Sequence, residues 1–153
     1  MEFGTIEREI YVEASPEIVF EVVSSPDHLK RWWPDDARYD PSPGSTGEIV
    51  FGDRDADGAV VAFTVVEARP PRTFSFRWTH PADQVAAEGN SLLVTFDLTP
   101  ARGGTLLKMT ETGFREMGWE IAVLEQQYRE HVTGWDFYLP RLAPYVATLE
   151  TRP

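Results

Sequence analysis

Two periodicities divide the chain. Between about Gly47 and Gly113 apolar and polar residues alternate with period two, the mark of half-buried strands. From residue 114 to residue 150 the apolar residues recur instead at helical spacing, through Ile121, Leu124, Tyr128, Val132, Trp135, Leu139, Leu142, Val146 and Leu149. The spacing predicts one long amphipathic helix. Pro140 cannot donate to the carbonyl of Asp136, so a kink or a division into two segments is expected there; Pro144 is a second candidate break, and Gly134 a weak helix residue.

The N-terminal part begins with another alternating stretch, residues 5–14. Ile6, Ile10, Val12 and Ala14 share one face, and Glu7, Glu9 and Glu13 the other. Ser15-Pro16-Glu17 then supplies an N-cap, a proline at the first helical position and an acid in the first turn. Ser25-Pro26-Asp27 restarts a short second helix that ends by Pro34. Residues 35–45 read as loop. Strands are predicted at 47–51, 59–68, 73–80, 91–99 and 105–112, with turns at 53–58 (DRDADG), Pro70-Pro71, 81–90 and 100–104. The order is β-α-α-β5-α, an α+β arrangement read as one domain over residues 1–153. A helix following such strands must bury its stripe against the sheet, and a curved sheet around a helix leaves a concave apolar space suited to a small molecule.

Composition narrows the partners. Formal net charge is −11, with no basic stripe for phosphates, so nucleic acid and anionic membrane surfaces are not expected partners. No apolar run approaches membrane-spanning length, and residues 1–14 have no signal-peptide pattern; a cytoplasmic protein is expected. Cysteine is absent, which removes thiolate nucleophiles and cysteine metal sites. His28, His80 and His131 have no short ligand spacing, and DRDADG lacks an acid at the twelfth position of a calcium loop, where Thr64 stands. A hairpin turn is the better reading, and no metal or cofactor is expected.

Strand parity selects the inward residues. Phe74, Phe76, Trp78 and His80 share one side of their strand, Val61, Phe63 and Val65 of another, and Leu107, Met109 and Glu111 of the last. Trp32, Trp33, Phe114, Trp135 and Tyr138 are placed to close the ends of the sheet–helix space. These aromatic residues read either as core or as pocket lining, and the ligand-binding candidates are Trp33, Phe63, Phe76, Trp78, His80, Met109, Glu111, Phe114, Trp135 and Tyr138. Glu111 is the most informative polar residue. An inward carboxylate needs a partner, water or a proton; it either reaches solvent or an arginine at the sheet end, or orients a ligand or transfers a proton. His80, ending the Trp78 row, is either its acid–base companion or a turn residue before Pro81.

The segments IEREIYVEASPEIVFEVVSSPDHLKRWW, VVEARPPRTFSFRW, GGTLLKMTETGF and GWDFYLPRL, taken in order, resemble the START-like superfamily, and most of all its branch named after the activator of the heat-shock protein 90 ATPase, the bacterial homologue 1-like proteins. The resemblance covers almost the whole chain. It implies a helix-grip (Bet v 1-like) fold, a six- or seven-stranded antiparallel sheet wrapped around the C-terminal helix with an apolar pocket between them. Lipid carriers, hormone-binding proteins and polyketide cyclases share that superfamily, so fold does not fix function. Nothing in the chain corresponds to the extra N-terminal domain of the eukaryotic co-chaperone. The first expectation is a non-catalytic binder of a small apolar or amphipathic molecule. The alternatives are a cyclase-, aromatase- or hydrolase-type enzyme using Glu111 and His80, and a chaperone-associated interaction module in a stress response; a weak homodimer is also compatible with the sequence.

Overall fold

The computed structural model of the protein describes residues 3–53 and 58–150. Its strands are β1 (Thr5–Val12), β2 (Asp36–Arg38), β3 (Thr46–Phe51), β4 (Ala59–Arg69), β5 (Thr73–Trp78), β6 (Leu92–Ala101) and β7 (Gly104–Thr112). Helices α1 (Pro16–Ser24) and α2 (Pro26–Leu29) follow β1, and α3 (Ile121–Tyr138) and α4 (Leu142–Glu150) end the chain. The strands form one antiparallel sheet in the order β1-β7-β6-β5-β4-β3-β2. This is the expected helix grip, with α3 lying on the concave face. The centre of the DRDADG turn, residues 54–57, lies outside the described residues.

Alternation fixes which face each strand buries. Phe63 and Val65 on β4, Phe74 and Phe76 on β5, Val94 and Phe96 on β6, and Leu107 and Met109 on β7 are all excluded from solvent. At an upper estimate of about 25 cal/mol per Å² of apolar area, each large ring contributes roughly 2–3 kcal/mol. The rings also interlock: Phe63 stacks on Phe76 at 4.2 Å and on Tyr39 at 4.4 Å. The concave space is therefore filled at its centre by its own side chains.

Three local expectations change. β2 lies where residues 35–45 read as loop, so the sheet has seven strands rather than six; three residues with no apolar repeat give no period to detect. The C-terminal helix begins at Ile121, not at residue 114. Gly118, at φ 77°, ends a short 3-10 turn (Arg115–Met117) that precedes it, and Ile121 is exposed. The helix is also divided, as Pro140 requires: Leu139–Arg141 forms a 3-10 turn between α3 and α4. At the other end of the chain, Ser15 caps α1 by accepting from the Ile18 amide, with Pro16 in the first turn.

Polar ties fix α3 along the β1 side. Arg8, on the inner face of β1 between Ile6 and Ile10, donates from Nε to Asp136 at 2.7 Å. The Tyr128 hydroxyl donates to the Thr5 carbonyl at 2.8 Å. On α4, Tyr145 bonds the His28 Nδ1 of α2 at 2.7 Å.

Candidate functional site

Where α3 passes the ends of β3, β4 and β5, the packing gives way to an open cleft of about 390 Å³. Phe51 ends β3, Ala59 begins β4, Trp78 ends β5, and Trp33 follows α2; α3 contributes Glu130, His131, Gly134, Trp135 and Tyr138. The wall is mainly aromatic. Trp33 is its hub, with ring centroids 4.9 Å from Trp135, 5.0 Å from Trp78 and 5.9 Å from Phe51. Gly134 faces open space, since a Cβ built there would meet nothing within 4 Å. A glycine in mid-helix costs roughly 0.5–1 kcal/mol relative to alanine, and no close backbone approach requires this one.

Behind this wall sits Glu111, with 0% of its surface exposed. Its carboxylate accepts three N–H bonds: Trp135 Nε1 at 2.8 Å and His131 Nδ1 at 2.9 Å on Oε1, and Trp78 Nε1 at 2.8 Å on Oε2. The arrangement follows from register. Glu111 pairs with Val94 on β6, Val94 with Phe76 on β5, and Trp78 stands one inward position further along β5. Its indole spans the intervening strand to reach the acid. His131 and Trp135 are four residues apart on α3 and so descend on the acid from one helix face. An ionised carboxylate is acceptor-only, which suits a site lined by three donors. Charge-assisted bonds of this kind are worth about 1.5–3 kcal/mol each and offset the cost of burying the charge.

His131 links acid and cleft. Its ring packs edge-on against Trp78 and Phe114, with centroids at 5.2 and 5.3 Å, and its side chain keeps 13% exposure on the cleft wall. With Nδ1 on the carboxylate, Nε2 is the remaining polar atom. Among the described residues it has no protein partner, and it is not sealed from solvent.

The structure sorts the residues singled out in the sequence. Trp33, Trp78, Trp135 and Tyr138 line the cleft. Phe63, Phe76 and Met109 are fully buried in the sheet–helix core and do not line it, and Phe114 is buried against Tyr128 and His131. Glu111 is inward but reaches neither solvent nor an arginine; it lies under the cleft wall rather than on it. His80 is displaced altogether. Thr79 adopts φ 69°, which ends the alternation, and His80 turns to the convex face, where Nε2 lies 3.1 Å from Thr64 Oγ1. Burial holds the His80 imidazole below its ordinary value, and its Nδ1 is buried without a partner. It is not assembled with Glu111.

His131, Glu130 and Phe51 are not marked by strand parity or by the apolar stripe. A signal for His131 is nonetheless present in the helix, three residues after Tyr128 and four before Trp135. Among the described residues no group of three or more His, Asp or Glu side chains is arranged to hold a metal ion, and no helix is long and apolar enough to cross a membrane.

A seven-stranded sheet gripping a C-terminal helix, with an aromatic cleft at the open end of the grip, defines a START-like protein. Residues 13–147 match the family described as Activator of Hsp90 ATPase homolog 1-like protein, and the chain belongs to that family. Solved structures share the fold along nearly the full chain. Protein NE0264 from Nitrosomonas europaea superposes with a TM-score of 0.79 at 14% identity, covering 99% of both chains. Protein MLL2253 from Mesorhizobium loti gives 0.73 at 23% identity, covering 97% of this chain and 99% of that one. The Aha1 protein from Colwellia psychrerythraea, solved in solution as a dimer, gives 0.68 at 23% identity over 93% of this chain and 95% of that one. A comparison with curated proteins finds no match.

Proposed function

We propose that the protein binds a small apolar or amphipathic molecule in the cleft between α3 and the ends of β3, β4 and β5, without chemical conversion. One observation carries this reading. The cleft wall is built from the rings of Trp33, Phe51, Trp78, Trp135 and Tyr138, and Gly134 leaves the space above α3 empty at a cost to the helix. Flat rings on one side and a glycine on the other suit a planar guest. The volume of about 390 Å³ suits a molecule of two or three fused rings, at the small end of ligand sites. The enzymatic alternative loses the pair the sequence offered for it, since Glu111 and His80 lie on opposite faces of the sheet.

The test uses Nile red, a neutral planar dye, with Gly134→Leu as the blocking variant. The leucine enters open space and favours the helix, so stability in urea should hold or rise by up to about 1 kcal/mol. Wild type should show saturable dye fluorescence with quenching of tryptophan emission, and Gly134→Leu should lose both. Equal dye binding by the two proteins, or none by wild type, would overturn the reading.

A further inference from the structure

We infer that the cleft selects a neutral aromatic molecule bearing an O–H or N–H donor, which it donates to Nε2 of His131, and that Glu111 is the positioning residue that keeps this nitrogen an acceptor. The inference rests on the cleft being a ligand site and adds the chemistry of the ligand.

A buried carboxylate can only accept, so the His131 nitrogen 2.9 Å from Glu111 Oε1 must carry the hydrogen. In a neutral imidazole the other nitrogen then holds a lone pair. Glu111 cannot swing away to release this tautomer. Its Oε2 is held by Trp78 and its Oε1 shared with Trp135, and the whole group is excluded from solvent. The imidazole is clamped as well, between Trp78 and Phe114. The result is a fixed acceptor, with access to solvent, in an otherwise aromatic wall. A guest lying flat on the indoles finds there a place for one polar hydrogen.

The charge of the site argues against an anion. Glu130 stands beside His131 on the wall, no lysine or arginine among the described residues lines the cleft, and the chain carries a net charge of −11. A carboxylate or phenolate guest beside His131 would meet Glu130, while Arg141, the cation placed over the Tyr138 ring at 5.6 Å, is not among the lining residues. A hydroxyl or ring N–H on a neutral ring meets the His131 lone pair with no such opposition.

The experiment compares β-naphthol, its methyl ether and naphthalene at about pH 8, above the ordinary imidazole range. All three fit the same wall, and only the naphthol can donate. Calorimetric or fluorescence titration should give the naphthol a preference of ~5- to 10-fold over its methyl ether, the size of one net hydrogen bond. His131→Phe, which keeps a ring and removes the acceptor, should bind the two alike. The ring tautomer provides a second readout in the unmutated protein. Long-range proton–nitrogen NMR correlations should show His131 protonated on Nδ1, with the Nε2 resonance shifting on addition of the naphthol and not of the ether. Equal affinity for naphthol and ether in wild type, a preference that survives in His131→Phe, or an Nε2-protonated ring would each overturn the inference while leaving the binding site intact. Failure of all three naphthalenes to bind wild type would remove the binding site itself, and this inference with it.

Discussion

Replacing Glu111 by glutamine conserves shape and removes one acceptor oxygen, and the geometry around the carboxylate sets the cost. Three N–H groups converge on it, two on Oε1 and one on Oε2. An amide has one oxygen and one NH₂ group. With the amide oxygen toward Trp135 and His131, the NH₂ faces the Trp78 indole N–H across 2.8 Å. With the amide reversed, the NH₂ faces Trp135 instead, at 2.8 Å, while His131 adapts by changing tautomer. In either orientation one indole donor and at least one amide hydrogen are left unpaired in a site with 0% exposure. An orphaned buried donor costs about 1–3 kcal/mol, and the surviving bonds lose their charge assistance. Relief from burying a charge offsets part of this, so Glu111→Gln should lower stability by about 2–4 kcal/mol. Urea unfolding followed by tryptophan emission measures it, with Trp78 and Trp135 as reporters. A double-mutant cycle isolates the cause: in Trp78→Phe the amide can turn its NH₂ toward a ring with no donor, and the cost of Glu111→Gln should fall by about 1–3 kcal/mol. A loss below about 1 kcal/mol in the single variant, or an unchanged cost in the Trp78→Phe background, would refute the donor-count argument.

Two other groups give the stability a pH dependence. The Arg8 hydrogen bond holds the Asp136 carboxyl below its usual range, so its contribution is complete above the ordinary carboxylate value and vanishes as pH falls through the folded one. The pair is largely exposed, and Asp136→Asn should therefore cost no more than about 1 kcal/mol at neutral pH, with the difference in urea stability closing as pH falls below the ordinary carboxylate range. Burial lowers the His80 value, so the folded state resists its protonation; stability should decline as pH falls below the ordinary imidazole value of about 6.5, and His80→Gln should lack that slope.

The sheet is legible because its strands carry an unbroken period of two, and the inward position of Glu111 comes from the same count as Met109 and Leu107. Parity fails one residue beyond Trp78. A positive φ at Thr79 carries no sequence mark as a glycine would, and it sends His80 to the opposite face. The acid's true companion is hidden for a different reason. Helical spacing counted through apolar residues alone passes over a histidine set between Tyr128 and Trp135 on the same face. Register explains the remainder: that two indoles reach one carboxylate depends on strand pairing and on the depth at which α3 settles, neither of which any single segment encodes. Phe51 enters the wall for the same reason, through the β3–β4 hairpin.

Among the described residues the polar fastenings of α3 lie to one side. Tyr128 to Thr5 and Arg8 to Asp136 fix it to β1, and His131 and Trp135 pin it to Glu111 on the neighbouring β7. Toward β3 the helix meets the sheet through ring contact, Tyr138 on Phe51 at 6.1 Å. Directional bonds resist sliding as well as separation, whereas ring contacts resist separation but tolerate sliding. The helix is thus mounted like a door, hung along β1 and β7 and latched by aromatic contact at β3. A guest wider than the resting cleft would be admitted by slippage at the latch, with the hydrogen bonds of the hinge left intact.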